Sequence, residues 1–290
     1  MPITKVDRAA AYQWWDTITN EFDTPTTNRN AYIYLRAAFN DAVERALIPA
    51  NPIEIKAAKH KPQPKDKKLP ETSTLHAVID HAPARYRFVL MLCLFMGLRV
   101  GEAIALKRKH LHNRGTDEQP RWVVDIRGNL QRMSGDNGVY LQWQPPKTAA
   151  GRRDVPILTQ FNTIVSEHLE YHAPGGVDDY LTATAAGKPV FDTSLRSVLQ
   201  RALVRAGYPH DVLTLHYGRN WLITHLAQLG ATPAEIGYLL GQSDLKTITE
   251  TYMKVRPDNL GKVMGRLDGE LSGEVVVLSQ RREQRAGKGA

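Results

Sequence analysis

The stretch that decides the fold is residues 88–104, which reads FVLMLCLFMGLRVGEAI. Its apolar first half predicts a buried helix over residues 83–96, and a second helix is predicted over residues 100–106. Arg99 lies between the two, in surroundings where an arginine is rare unless it is paired. Two interpretations are open: a structural ion pair with Glu102, three residues on, or an arginine that binds an anion and is oriented by Glu102.

Later segments carry side chains that suit the same anion. Arginines form forked hydrogen bonds to phosphate oxygens and neutralise the charge that builds up in a transition state. A tyrosine is a nucleophile that leaves a covalent phosphate ester. Taken singly, these residues would be a solvated lysine, a capping histidine, a surface arginine and a packed tyrosine. Together they form a candidate set of Arg99, Lys147, His216, Arg219, Gln242 and Tyr252.

In order and context, this set resembles the active site of the tyrosine recombinases, the phage integrase family. The patterns that carry the resemblance are Arg-x-x-Glu at Arg99, Lys-Thr at Lys147, His-x-x-Arg at His216, Leu-Gly before Gln242 and the late Tyr252. The similarity spans residues 30–255. It implies a fold that is mainly α with a small antiparallel β-sheet, built as a small helical core-binding domain and a mixed α/β catalytic domain.

The resemblance also implies a reaction. Tyr252 attacks one DNA strand and forms a 3′-phosphotyrosine link, and Lys147 protonates the departing 5′ oxygen. Glu102 orients the first arginine from the second shell of residues. His216 and Arg219 share one face at the start of a helix, where backbone N–H groups also favour an anion. The residues that hold the phosphate are then Arg99, His216, Arg219 and Gln242.

Gln242 departs from the family, whose members usually have histidine at this position and sometimes tryptophan. Glutamine donates a neutral hydrogen bond and carries no charge, so stabilisation there should be weaker. The rival nucleophile is Tyr238, whose helix is predicted to belong to the core. The rivals for the role of the lysine are Lys188, Arg152 and Arg153.

Composition limits the class of protein. The chain has 290 residues, a formal charge of +8 and 42% hydrophobic residues, which indicates a globular protein with an anionic partner. Nucleic acid is the commonest such partner, followed by an anionic membrane surface. A lone cysteine, Cys93, excludes an internal disulfide framework and is expected to be buried. Residues 1–8 lack the apolar core of a signal peptide, and no apolar stretch would span a bilayer, so we expect a cytoplasmic protein.

The resemblance implies neither a metal nor a cofactor. Residues 187–188 are Gly-Lys but lack the upstream glycine of a P-loop. A phosphotyrosine bond stores the energy of the broken phosphodiester, so rejoining needs no nucleotide. The cationic side chains take the electrostatic place of a metal ion.

The domain organisation follows from the helix signals. Helices are predicted over residues 7–19 and from residue 24 to a stop at Pro49, and residues 1–55 form a reduced core-binding domain without a preceding arm-binding domain. Residues 56–70 form a basic linker that is rich in lysine and proline, residues 71–270 the catalytic domain and residues 271–290 a tail. The residues expected to contact the DNA backbone are Lys59, Lys61, Lys65, Lys67, Lys68, Arg152 and Arg201.

Within the catalytic domain, the alternation of apolar and polar residues predicts strands over residues 121–127, 139–143 and 153–157. We expect them to form consecutive hairpins, with turns near residues 135–138 and 149–151. The remaining predicted helices cover residues 72–81, 161–172, 194–206, 216–229, 233–240 and 245–254.

The partners follow from the resemblance. They are double-stranded DNA with crossover sites and further copies of the chain, four in the synaptic complex, with room for an accessory factor that sets directionality and no membrane. Residues 274–278, in the tail, are expected to pack on a neighbouring protomer. The alternatives are a Xer-like resolution recombinase, a type IB topoisomerase and, from another class, a catalytically inactive DNA-binding regulator.

Overall fold

The computed structural model describes residues 1–62, 70–136 and 138–243, together with residues 248–249, 261, 264–265, 267–269 and 271. The chain divides into two compact units, Met1–Lys68 and Leu69–Ala290. Most of the predicted helix over residues 245–254, Tyr252 and the apolar segment 274–278 lie outside the described residues.

The first unit is a small helical domain. Helix α1 covers Arg8–Glu21 and is capped by Asp7, whose side chain accepts a hydrogen bond from the Ala10 amide at 2.7 Å. Helix α2 covers Pro25–Glu44 and starts with a proline in its first turn, where the missing N–H is not needed. The core of this unit includes Ala11, Tyr32, Phe39 and Ile53, with Trp14 and Trp15 packed against them.

The predicted linker over residues 56–70 begins too early. Lys56–Lys59 is a short helix, α3, and its Ala58 is 1% exposed and belongs to the core of the first unit. The lysines misled the prediction because only one side of this helical turn faces solvent. Of the linker lysines expected on DNA, Lys59 pairs with Glu54 at 3.6 Å, and Lys61 is exposed. Lys65, Lys67 and Lys68 lie outside the described residues.

The second unit is built around one buried helix. Helix α5 covers Ala84–Leu94, and every side chain from Phe88 to Leu94 is buried. It packs against several of the helices that surround it. These helices are α4 (Thr72–His81), α6 (Val100–Ile104), α7 (Asn162–Tyr171), α8 (Asp192–Arg205) and α9 (Tyr217–Gln228), while α10 (Pro233–Leu240) packs against α9. The stretch from Phe88 to Leu94 needs this arrangement, because it has no polar face to turn to water.

The strands pair differently from the prediction. In the described residues, β1 (Leu111–Asn113), β2 (Trp122–Ile126) and β5 (Arg153–Pro156) form an antiparallel sheet in the order β1-β2-β5. A separate hairpin joins β3 (Asn129–Gly135) to β4 (Gly138–Gln144). The prediction missed β1 and β3 and paired β4 with the wrong strands. Burial decides the pairing: β2 and β5 share a buried face, whereas most of β3 and β4 is exposed.

Helix ends converge where α5 stops. A Cβ added to Gly218, in the first turn of α9, would lie 2.1 Å from the Cys93 carbonyl oxygen, so that turn packs directly on the end of α5. Gly97, with φ of +64°, lets the chain reverse between α5 and α6. None of the helices in the described part of the chain is both long and apolar enough to cross a membrane.

Candidate active site

Arg99 stands at the amino end of α6 and uses Glu102 as its partner. The Glu102 carboxylate accepts hydrogen bonds from the Arg99 backbone amide at 3.0 Å and from Nη1 at 2.8 Å. Glu102 is buried, whereas the Arg99 side chain is 44% exposed. The two interpretations of the sequence therefore coexist: Arg99 is ion-paired, and it still presents guanidinium N–H groups to solvent.

Arg219 approaches the same place from α9 and is buried. It is 2% exposed, and its guanidinium donates to the Gly97 carbonyl at 2.8 Å and to the Leu240 carbonyl at 3.0 Å. Arg99 Nη1 lies 3.4 Å from the same Leu240 oxygen. Because the carboxyl end of a helix carries partial negative charge, the end of α10 draws both guanidinium groups together.

Arg153 is the residue whose importance the sequence did not reveal. It was a rival of Lys147 for the role of general acid, yet its side chain is fully buried and bonds to Glu102 at 2.9 Å through Nη2 and at 3.3 Å through Nη1. A buried guanidinium that is held by two hydrogen bonds to Glu102 cannot reach a leaving group, so Arg153 is excluded as the general acid. The available signal was an arginine in an otherwise half-buried strand.

The pKa values follow from this packing. Burial alone would raise the pKa of Glu102, but the hydrogen bond and charge of Arg153, and then those of Arg99, outweigh it and lower the pKa. Burial, and next the charge of Arg99, lowers the pKa of Arg219 to about 10. Burial also lowers the pKa of His216, with contributions from Arg219 and Arg99. At neutral pH the site therefore holds charged arginines, an ionised Glu102 and a neutral imidazole.

An open cleft of about 930 Å³ lies beside this cluster. The cleft is lined by Arg99, Glu102, Lys147 and Gln242 and by the start of β3. Lys147 is exposed and follows β4 in the connection to β5, so it does not sit at a hairpin turn as predicted. Gln242 follows the left-handed Gly241 that ends α10, and its buried Oε1 has no hydrogen-bond partner in the described residues.

His216 is the residue that caps α9, three positions before Arg219. It is exposed and does not line the cleft. The positive charges of Arg219 and Arg99 contribute to the lowering of its pKa, so its ring lies close enough to interact with both. The predicted arrangement of His216 and Arg219 on the first turn of one helix is confirmed.

The other candidates lie elsewhere. The helix of Tyr238, α10, contributes Ile236 and Leu240 to the core, as predicted, but Tyr238 itself is 58% exposed. Arg152 and Arg201 are exposed, and neither they nor Lys188 line the cleft. No group of three or more histidine, cysteine, aspartate or glutamate side chains that could hold a metal ion occurs within the described ranges.

Comparison with known proteins gives the family. The model of the phage integrase family matches residues 69–258. The chain belongs to this family. Two similar proteins are the integrases of Mycobacterium phage D29, 25% identical over 92% of this chain and 69% of its own length, and of Mycobacterium phage L5, 26% identical over 91% and 69%.

The fold matches as well. A Tn1549 transposon integrase, solved in complex with a circular intermediate DNA, superposes with a TM-score of 0.74 at 21% identity, over 92% of this chain and 87% of that one. The predicted fold class is confirmed. The protein is a site-specific tyrosine recombinase of the phage integrase type.

Proposed function

We propose that this phage integrase family member cleaves and rejoins DNA through a 3′-phosphotyrosine intermediate. The Tyr252 hydroxyl attacks a phosphodiester, the bond from phosphorus to the 5′ oxygen breaks, and a strand ending in a 5′-hydroxyl leaves. The 5′-hydroxyl of a partner duplex then attacks the phosphotyrosine and releases the tyrosine. Each step exchanges one phosphate ester for another, so no nucleotide is consumed.

The observation that carries this proposal is the excess of positive charge at the cleft. Within the described residues, the cleft and the layer directly behind it hold five cations against two carboxylates, Glu102 and Asp192. The cations are Arg99, Arg132, Lys147, Arg153 and Arg219. Arg99 and Arg219 approach one carbonyl oxygen, that of Leu240, at 3.4 Å and 3.0 Å, so like charges are held close together. A phosphate bound at Arg99, with Arg219 directly behind it, relieves this repulsion, most strongly when a second negative charge develops in the transition state.

Lys147 is the general acid in this proposal. It is exposed on the wall of the cleft and has no ion pair with a described residue, so its ammonium group is free to approach a 5′ oxygen. Lysine suits this task because a flexible stem carries three rotatable N–H donors. Proton transfer from Lys147 to the departing oxygen prevents an alkoxide from accumulating.

Gln242 and His216 complete the phosphate site. Gln242 lines the cleft, and its side-chain Nε2 can donate a hydrogen bond to a phosphate oxygen there. The lowered pKa keeps His216 neutral, so one ring nitrogen donates to the phosphate while the other accepts a proton.

The proposed partner is double-stranded DNA with specific crossover sites. The net charge of +8 favours it, the Tn1549 integrase was solved in complex with a circular intermediate DNA, and a lambda integrase dimer was solved bound to a COC′ core site. We place four copies of the chain in the synaptic complex, in the cytoplasm of a bacterial host, where they integrate a phage genome. An accessory factor would set the direction of the reaction.

A nicked duplex tests this function. When the nick lies next to the cleavage site, the short 5′ strand diffuses away and the covalent adduct accumulates. We expect wild-type protein to form a denaturation-resistant adduct and the Tyr252→Phe variant to form none, while both bind the duplex equally. The phenylalanine keeps the ring and loses only the nucleophilic oxygen.

Tyr238→Phe is the matched control, because Tyr238 is exposed on α10 and lines no part of the cleft. Its adduct should form at the wild-type rate. Adducts with Tyr252→Phe, or their loss in Tyr238→Phe, would contradict the assignment of the nucleophile. Binding without any adduct from wild-type protein would favour a DNA-binding regulator.

A further inference from the structure

Arg153 is a buried charged group at the site that does not line the cleft. It is the first residue of β5, and its side chain has no exposed surface. Burying a guanidinium is unfavourable unless hydrogen bonds and an opposite charge replace its hydration. Such a group persists in a fold when its partners are well placed, so the identity of those partners shows what it does.

The partners of Arg153 belong to three separate segments. Nη1 and Nη2 bond to the two carboxylate oxygens of Glu102, in α6. Nε donates to the Leu239 carbonyl at 2.7 Å, in the last turn of α10. Nη1 also donates to the Gly151 carbonyl at 3.2 Å, just before β5.

Each of these segments carries one residue of the phosphate site. Glu102 holds Arg99, Leu239 comes three residues before Gln242, and Gly151 comes four residues after Lys147. The turn at Gly241 is packed directly on the guanidinium, because a Cβ there would lie 2.5 Å from Arg153 Nη1. A single planar group therefore ties together the supports of three candidate site residues that line the cleft: Arg99, Lys147 and Gln242.

Arg153 also shares the carboxylate of Glu102 with Arg99. Oε1 accepts from both guanidinium groups, at 2.8 Å from Arg99 and 3.3 Å from Arg153. A carboxylate that served Arg99 alone would neutralise it. Because Glu102 carries one negative charge for two arginines, positive charge remains on Arg99 for a phosphate.

We propose that Arg153 is a positioning residue for DNA cleavage, which acts through Glu102 and the end of α10 to set Arg99, Lys147 and Gln242 around the scissile phosphate. This inference rests on the proposed function. Lysine cannot replace arginine here, because its ammonium lacks the planar fork that reaches a carboxylate and two carbonyls at once.

The test compares Arg153→Met and Arg153→Lys with wild-type protein on the nicked duplex. We expect single-turnover adduct formation to fall about 100-fold in Arg153→Met, since a misplacement near 1 Å at a reacting centre has effects of this size. DNA affinity should change less than about threefold, because Arg153 touches no solvent. Arg153→Lys should recover only part of the rate. The matched control is Arg121→Met, the same exchange at an exposed arginine beside β2, which should keep the wild-type rate.

A pH profile separates positioning from a general loss of structure. The charged groups that act on Glu102 are Arg99 and Arg153, with Arg219 and the Cys93 thiol close enough to feel its charge. Without Arg153, Glu102 binds a proton more readily and releases Arg99. The Arg153→Met rate should therefore fall as the pH is lowered from 7.5 to 5.5, more steeply than the wild-type rate. In the Glu102→Gln variant, adding Arg153→Met should slow cleavage by a smaller factor than it does in wild-type protein, because both changes act through the same contact.

The outcomes are distinct. The inference would be overturned if Arg153→Met cleaved at the wild-type rate. It would also be overturned if the cleavage rate and the DNA affinity of Arg153→Met fell together, with an unchanged pH profile and an effect fully additive with that of Glu102→Gln. If wild-type protein forms no adduct at all, the proposed function fails and this inference fails with it. If wild-type protein forms the adduct but the Arg153 variants do not show the expected loss of rate, only this inference fails and the proposed function stands.

Discussion

Two regions of the second unit bury titratable side chains, which are charged in one region and neutral in the other. At the cleft, Arg153, Arg219 and Glu102 are buried and charged. Beside α5, His168 is equally buried, and burial lowers its pKa from 6.5 to about 4, so it is neutral. Burial also raises the pKa of the Cys93 thiol to about 12, which keeps that group neutral as well.

The difference lies in the partners. His168 donates from Nε2 to the Leu181 carbonyl at 2.8 Å and stacks on Phe88, but no carboxylate bonds to it in the described structure, and its Nδ1 has no hydrogen-bond partner there. The arginines have Glu102 and helix-end carbonyls. Depth of burial does not set the charge state. Buried side chains stay charged at the cleft, where we propose that a phosphate binds, and are neutral beside α5.

The largest effect should come from the exposed cation of the cleft. Lys147→Ala should slow cleavage on the order of 10²–10⁴-fold, since it removes the proposed general acid. Its thermal unfolding midpoint should stay at the wild-type value, because the side chain is exposed. A substrate with a 5′ sulfur leaving group needs no proton and should restore the rate. If single-turnover assays show no rescue, Lys147 is not the acid.

The next largest effect concerns the buried cation. Arg219→Gln should slow cleavage by roughly 10²–10³-fold, because a fixed positive charge directly behind the phosphate site is lost. In contrast with Lys147→Ala, it should also lower the unfolding midpoint, since the carbonyls of Gly97 and Leu240 lose their donor. Single-turnover cleavage and thermal unfolding measure the two effects. A slow variant of unchanged stability would argue that Arg219 is not held by these contacts.

Gln242→His should change cleavage only a few-fold, and in the direction of retained or raised activity at neutral pH. Imidazole can donate the same hydrogen bond and, when protonated, a stronger one. The measurement is the rate of adduct formation on the nicked duplex at pH 7. A loss of more than about tenfold would mean that the neutral amide at this position is required.

The smallest effect on cleavage should come from the neutral region. His168→Gln can keep the bond to Leu181 and should cleave at the wild-type rate. It should, however, change the dependence of stability on pH. Because the folded-state pKa lies below the unfolded value, wild-type protein loses stability as the pH falls from about 6.5 towards 4, by up to about 3 kcal/mol.

Urea unfolding at pH 7.5 and at pH 5 measures this change. The loss of stability between the two should be smaller in His168→Gln than in wild-type protein. His210→Gln, at an exposed histidine, is the control and should behave like wild type. Equal losses in all three proteins would show that His168 is not kept neutral by the fold.

Helix bounds show how much local sequence predicts. Residues 233–240 were predicted as a helix, and α10 has these bounds. The Thr232 side chain accepts from the Glu235 amide at 3.2 Å, Pro233 occupies the first turn, and Gly241 ends the helix with φ of +62°. Each of these signals acts within four residues, so no distant contact is needed to read it.

The strands show where local signals end. The alternation within β4 predicted a strand, but its partner, β3, and the pairing of β2 with β5 were missed. Alternation shows that a segment has two faces, and does not show which other strand shares its buried face. The connection that carries Lys147 was misplaced for the same reason.

By itself, the sequence determined the order and kind of the chemical groups: an arginine with a glutamate three residues on, a lysine, a paired histidine and arginine, and a glutamine after a helix. These patterns are short, so they survive without knowledge of the fold. Only the tertiary structure decided which arginine faces the cleft and which two are buried behind it, and that Arg153 supports the site. The charge state and reach of a side chain depend on burial and on partners far apart in the chain, such as Glu102 and Leu239, which no local pattern contains.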